Sequence, residues 1–194
     1  MKYLFLILFT VSLNAQILPS YQATHYKESS GGSCSSSETF MALPNQSSSY
    51  GGDVRGYFFT APIDFCITGL RVPTDASTGC QSVAIVKFTA GGPSNYPTLT
   101  NAFNQLHYSS CVAGENVIVV DISVSQGDII GVYGSRSGVN SYGSTSDFNF
   151  TIGGVAVSVQ RSGMQFPIES NEMKDIWKES SYLYISRVEM HYKY

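Results

Sequence analysis

The chain has 194 residues, with 11 Lys and Arg against 14 Asp and Glu, a formal net charge of −3 at neutral pH and only 13% charged residues. Scattered cations in a mildly acidic chain argue against a nucleic-acid partner, because phosphate binding needs clustered Lys and Arg. Low charge with abundant Gly, Ser, Thr and Tyr also leaves few helix-favouring runs, and the balance tips towards strands.

The opening residues, MKYLFLILFTVSLNAQ, join Lys2 to an apolar run and a small residue, Ala15, at a cleavage point. That layout predicts a secretory signal peptide over residues 1–15. The apolar run falls short of the ~20 residues that cross a bilayer, and no second such run follows, so no membrane span is expected. Gln16, rather than a cysteine, follows the cut, which gives no site for a lipid on a new N-terminal Cys. The remainder has the size of one domain with a real core. Exported and extracellular, it carries Cys34, Cys66, Cys80 and Cys111 into an oxidising compartment, where two disulfides are expected. There is no Cys-x-x-Cys and no nearby His pair, so zinc is not indicated.

Residues 16–55 form a Ser/Gly-rich N-terminal segment, with SSGGSCSSS at 29–37 and NQSSSYGGD at 45–53. It has little to bury and reads as loop, with one short strand at 38–43. From 56 to 194 the texture changes to β-runs separated by turn signals. GYFFT at 56–60 comes first, then IDFCITGLRV at 63–72, where a shift of apolar phase marks a bulge at Gly69. QSVAIVKF at 81–88 is apolar on both faces, as a central strand should be. NVIVVDISV at 116–124 alternates, turning Ile118, Val120, Ile122 and Val124 to a core. QGDIIGVYG at 126–134 follows a tight turn, and TIGGVAVSVQ at 151–160 puts Val155, Val157 and Val159 on one face. SNEMKDIWKES at 170–180 is the one helical candidate, with Ser170 as N-cap. The last run, SYLYISRVEMHYKY, places Val188, Met190 and Tyr192 inward and Arg187, Glu189, His191 and Lys193 towards water. The fold class expected is all-β: an antiparallel, disulfide-stapled, jelly-roll-like β-sandwich over 56–194.

If 81–88 and 102–109 pair as a hairpin around GGPSNYPT, the register that centres the loop sets Phe88 opposite Phe103, Ile85 opposite Leu106 and Cys80 opposite Cys111. Directly opposed residues on neighbouring strands lie within bridging range. The expected pairs are therefore Cys80–Cys111 and, for the remaining two, Cys34–Cys66.

No catalytic signature emerges. Gly134 to Gly138 has the spacing of a nucleophile elbow but carries Arg136 where the serine should stand. A Ser-His-Asp set would have to draw on His25, His107 or His191, which fall in a loop, a hairpin strand and a water-facing position. Asp64, Asp75, Asp121 and Asp128 sit at strand ends or turns, where Asp is favoured on its own account. There is no phosphate-binding glycine loop, dinucleotide fingerprint or His-Glu-x-x-His. No cofactor is expected; the one metal candidate is calcium at Asp147 and Asn149, two hard-oxygen ligands two residues apart.

Three aromatic residues sit in segments that read as loops: Tyr96 in GGPSNYPT, Tyr142 in SGVNSYGST and Trp177 before the last run. With Arg136 as a neighbouring cation, they are the candidate ligand-binding residues. Rings that stack on a sugar's apolar face beside groups that bond its hydroxyls are the chemistry of carbohydrate recognition. The competing role for the same rings is to plug loops onto the ends of the sandwich.

GYFFTAPIDFCITGLRVPTD at 56–75, followed by QSVAIVKF and QGDIIGVYG, resembles the jelly-roll or galactose-binding-like β-sandwich modules of exported bacterial surface proteins, over about residues 55–194. The resemblance implies a β-sandwich outside the cell, in a group of modules used for sugar binding, adhesion and structural roles. Where that pattern more often carries Thr, this chain has Cys66, so its bridge is a local addition. The function expected is a secreted, non-catalytic binding module for extracellular or cell-surface carbohydrate. The alternatives are a structural subunit of a surface layer, fibre or matrix that self-associates through strand edges, and a glycan-active hydrolase.

Overall fold

A computed structural model describes residues 34–146, 148–164, 167–168 and 175–194. The proposed signal peptide at 1–15, Asp147 and the start of the helical candidate at 170–174 lie outside the described residues. Thirteen strands are described: β1 (Thr39–Phe40), β2 (Gln46–Gly51), β3 (Arg55–Thr60), β4 (Phe65–Arg71), β5 (Gln81–Phe88), β6 (Phe103–Val112) and β7 (Ile118–Val124). They continue as β8 (Ile129–Arg136), β9 (Val139–Gly143), β10 (Phe148–Ile152), β11 (Val155–Met164), β12 (Ile176–Lys178) and β13 (Glu189–Lys193). All pair antiparallel, in two sheets. The smaller has the order β1-β13-β4-β7; the larger runs β10-β11-β3-β8-β5-β6, with β12 added to β11 and the β9–β2 pair to β8.

The protein is thus an all-β antiparallel sandwich, and its core follows from strand alternation. Successive side chains of a strand point to opposite faces. Tyr57 and Phe59 of β3, Ile85 of β5 and Val132 of β8 meet Ile67 and Leu70 of β4 between the sheets. The intervening Phe58, Ala84, Val86 and Tyr133 point the other way, into a second apolar cluster closed by Ile168 and Ile176. β5 is buried on both faces because both clusters use it, as its unbroken apolar run implies. Full burial of each such side chain contributes ~1.5–3 kcal/mol.

The bulge at Gly69 is present: the β4–β7 register shifts between Ile67 and Gly69. A Cβ on Gly69 would lie 2.3 Å from Val117 Cγ1, so the position admits no side chain. Both disulfides are as expected, Cys34–Cys66 with Cα atoms 6.0 Å apart and Cys80–Cys111 at 4.7 Å. The hairpin register that suggested the second holds only at its loop end. Phe88 faces Phe103, but shifts at Ile85/Val86 and Gln81/Val83 set Ile85 opposite His107 rather than Leu106. β6 is the edge of its sheet, so the extra residue at each shift has no further strand to disturb.

Six other sequence expectations are corrected. NQSSSYGGD is not loop: β2 is an exposed edge strand held to β9 by the backbone ladder. Within SGVNSYGST, Val139–Gly143 is β9, entered by a turn with Ser137 and Gly138 at φ 45° and 73°. Ile176–Lys178 is a strand, not the end of a helix, because it completes the ladder on β11. The final run is a strand only over Glu189–Lys193, though Val188, Met190 and Tyr192 do turn into the core. Glu189 is buried rather than water-facing, since Arg71 and His191 bond its carboxylate. In TIGGVAVSVQ, Gly153 and Gly154 make the β10–β11 turn, so Val157 and Val159 are buried while Val155 is exposed beside it.

Candidate functional site

The strand ladder gathers the site. On β11, Gly163 is flanked by Arg55 of β3 on one side and Trp177 of β12 on the other. Residues opposite one another across strands share a face, so Arg55 and Trp177 point the same way with only a glycine between them. A Cβ on Gly163 would stand 2.7 Å from Arg55 Cδ, so the missing side chain is what lets Arg55 lie across the strand. Its guanidinium carbon then sits 5.1 Å from the centre of the Trp177 ring. Arg161, two residues back on the same face, places its guanidinium carbon 4.3 Å over the Tyr142 ring.

Glu179 joins the two cations. Its backbone N–H donates to the Arg161 carbonyl at 3.1 Å, which fixes the residue just past β12. Arg55 Nε donates to Oε1 at 2.9 Å, and Arg161 Nε donates to Oε2. These side chains are only 10–14% exposed, where attraction is screened less than at a bare surface. Arg55 Nη1 also donates to the carbonyls of Asp53, Val54 and Met164, and Arg161 Nη1 to that of Tyr184. The buried Asn140 fixes the approach to β3, accepting the Arg55 N–H and donating to the Asp53 carbonyl.

Tyr96 completes the row. The 89–102 loop is bound to β12 through Tyr96 N–H to Lys178 O at 3.0 Å and Lys178 N–H to Ser94 O at 2.7 Å. Its ring centre consequently lies 5.7 Å from that of Trp177. Tyr96, Trp177, Arg55, Glu179, Arg161 and Tyr142 thus form one continuous ladder of ring, cation and carboxylate.

Three adjoining pockets follow the ladder. The first, about 270 Å³, is lined by Asp53, Arg55, Tyr96, Trp177, Glu179 and Leu183 among others. The second, about 230 Å³, has Ser158, Gln160, Arg161, Lys178, Glu179 and Leu183 in its wall. The third, about 290 Å³, is bounded by Ser48, Tyr142, Arg161, Tyr182, Leu183 and Tyr184. The strap at 180–184 is set over them because residues 185–187 are bonded to β9 and its exit, with Gly143 N–H donating to Ile185 O and Arg187 N–H to Ser141 O. Arg187 locks this arrangement through Asp75, Ser141 and the Pro44 carbonyl.

Comparison with protein-family models, curated proteins and solved structures finds no match for this chain. The site is therefore read from its own residues. Of the four ligand-binding candidates, three come together, though not alike: Tyr96 is 61% exposed, while Trp177 and Tyr142 are buried at 4% and 7%. Burial raises the Tyr142 hydroxyl pKa, with the charges of Arg161 and Arg55 pulling against it. The fourth, Arg136, is elsewhere, 1% exposed at the end of β8, where Nε donates to Val72 O and Nη1 to Gly79 O and Gly114 O.

Asn149 is exposed on β10 opposite Ser158. Its proposed calcium partner Asp147 is outside the described residues, among which no cluster of three or more His, Cys, Asp or Glu suits a metal. The acids at turns have local work: Asp64 and Asp128 accept the N–H groups of Gln126 and Ser125, and Asp75 holds Arg187. The sequence reading missed Arg55, Arg161, Glu179, Tyr182 and Tyr184. A signal was available for the last two in SYLY, two tyrosines about a leucine, 76% and 47% exposed here.

Proposed function

We propose that the protein is a secreted, non-catalytic binding module for extracellular or cell-surface carbohydrate, and that the groove along the Tyr96–Tyr142 ladder is its binding surface. The observation that carries this reading is the convergence of exposed rings, Tyr96, Tyr182 and Tyr184, with hydrogen-bonding groups along one groove. Rings offer stacking faces to sugar CH groups, while Ser, Gln and Lys side chains bond hydroxyls. Two disulfides fit an extracellular setting, and among the described residues no helix is long and apolar enough to cross a membrane. Glu179 supports binding over hydrolysis: both its oxygens are already tied to guanidinium groups, so neither is free to engage a glycosidic oxygen.

The test is a glycan array and polysaccharide pull-down with the full-length chain, with and without EDTA. Saturable binding that persists in EDTA and weakens roughly three- to tenfold in Tyr96→Ala is expected. A blank array and pull-down would overturn the reading. The second reading, a structural subunit assembled through strand edges, is favoured by β2, whose six residues are all exposed along one side of the β9 ladder. Sedimentation velocity decides it: concentration-dependent assembly that Ser49→Pro abolishes supports it, and a monomer at all concentrations removes it.

A further inference from the structure

We infer that the groove takes a linear, neutral oligosaccharide of about three units, one for each of its three pockets. The inference rests on the carbohydrate reading and adds the ligand's length and charge. Length follows from the division of the groove. Each pocket, at about 230 to 290 Å³, falls below the ~300–1,000 Å³ typical of pockets that enclose a whole small ligand. Yet they adjoin: Leu183 lines all three, Glu179 is common to the first and second, and Arg161 to the second and third. A ligand confined to one pocket buries little, and one that runs past Leu183 gains contact in each.

The chemistry changes along that line in a way that suits a chain of rings. Tyr96 stands exposed at one end, and Tyr182 and Tyr184 at the other. The middle pocket has no aromatic wall and presents Ser158, Gln160, Lys178 and Ser181, which are donors and acceptors for hydroxyls. Stacking at both ends and hydrogen bonds between them define at least three positions. No single sugar reaches all of them.

Charge follows from how the two arginines are already used. A carboxylate or sulfate is gripped by the fork of a guanidinium. Arg55 commits Nε to Glu179 and Nη1 to three carbonyls, and Arg161 commits Nε to Glu179 and Nη1 to the Tyr184 carbonyl. An acidic unit in the first pocket would also meet Asp53. The ladder therefore serves to hold rings in place; Lys178 is the further cation along the groove and lines the middle pocket beside Glu179, so with Asp53 in the first pocket hydroxyls rather than anions match the groove as a whole.

The experiment is calorimetric titration of the full-length chain with neutral gluco-, manno-, xylo- and chito-oligosaccharide ladders of one to six units, and with an oligogalacturonate ladder, at low and high salt. On at least one neutral ladder, affinity should rise roughly tenfold or more from one unit to three, then level off, with little change between about 50 and 500 mM salt. Tyr96→Ala and Tyr182→Ala, both at exposed rings that a fold does not need, should each lower trimer affinity about three- to tenfold while leaving the melting temperature in place. Equal affinity for one unit and three, or binding of the acidic ladder alone with a steep salt dependence, would overturn the inference and leave the carbohydrate reading standing. Silence on every ladder, with a blank array and pull-down, overturns both.

Discussion

Arg136 and the pair Arg55–Arg161 belong to the same nine-stranded sheet and are all largely withdrawn from solvent, yet they hold opposite things. Arg136 grips backbone. Its three bonds run to the carbonyls of Val72, Gly79 and Gly114, with no carboxylate among them, and burial draws its pKa down. Gln81, its cross-strand neighbour, continues the clamp by accepting the Val72 N–H and donating to the Asn116 carbonyl. The Cys80–Cys111 bridge ties the same two loops. Arg55 and Arg161 instead lie on aromatic faces and share one anion at the floor of an open groove. A cation satisfied by carbonyls closes loops; a pair satisfied by a shared carboxylate packs two buried rings beneath the groove. Local sequence does not separate the two roles, which depend on what the topology brings opposite.

The largest effect is expected where the clamp is cut. Arg136→Met leaves three carbonyls without their donor, at a cost of about 3–5 kcal/mol, and should lower the midpoint of urea unfolding sharply while the folded fraction still binds glycan. Loss of binding at unchanged stability would reverse the roles assigned to the two regions.

Glu179→Gln should strike binding as well as stability. Removing the shared anion leaves two guanidinium groups facing an amide, which costs about 2–3 kcal/mol at this depth. It also releases both cations from Trp177 and Tyr142, so glycan affinity should fall about tenfold or more by titration, beyond what Tyr96→Ala alone produces. Unaltered affinity in a folded Glu179→Gln protein would show that the ladder is scaffold only.

How far the sequence carries follows the same division. Period and phase made the sandwich legible: the bulge at Gly69, the two-faced burial of β5 and the inward set on β7 are local patterns that packing respects. Cys80–Cys111 was legible although the register between its strands slips twice, because a bridge tolerates a range of separations that a side-chain ladder does not. β2 was not legible. Its serines bury nothing and it exists through backbone bonds to β9. β12 read as helix because its residues tolerate one, and the ladder on β11 overrides that tolerance. The groove was half legible. Aromatic side chains in turn-rich segments pointed to Tyr96, Trp177 and Tyr142, but the Arg55–Glu179–Arg161 linkage joins three distant parts of the chain through the β3–β11–β12 order, which no local pattern announces.

A third ion cluster sharpens the comparison with the smallest expected effect. On β4 and β13, Arg71 donates to Glu189 through Nε at 3.0 Å and a terminal nitrogen at 2.7 Å, and His191 Nε2 lies 2.7 Å from the same carboxylate. Burial alone would raise the Glu189 pKa, but the bonds from Arg71 and His191 outweigh it and hold the group below its ordinary value. Because the folded pKa is depressed, the unfolded chain takes up the proton first on acidification. The stabilisation is therefore complete above the ordinary carboxyl value near 4.5 and is lost as pH falls through the lower folded one. Thermal melts should show stability declining below that point, and Glu189→Gln should flatten the decline while costing about 1 kcal/mol near neutrality, since Arg71 is 40% exposed and screened. Glycan affinity should not change in this variant, because the cluster sits on the four-stranded sheet and lines none of the three pockets. An acid slope identical to the parent's would move the response to another carboxylate, and altered affinity would mean that ion clusters outside the groove also govern its shape.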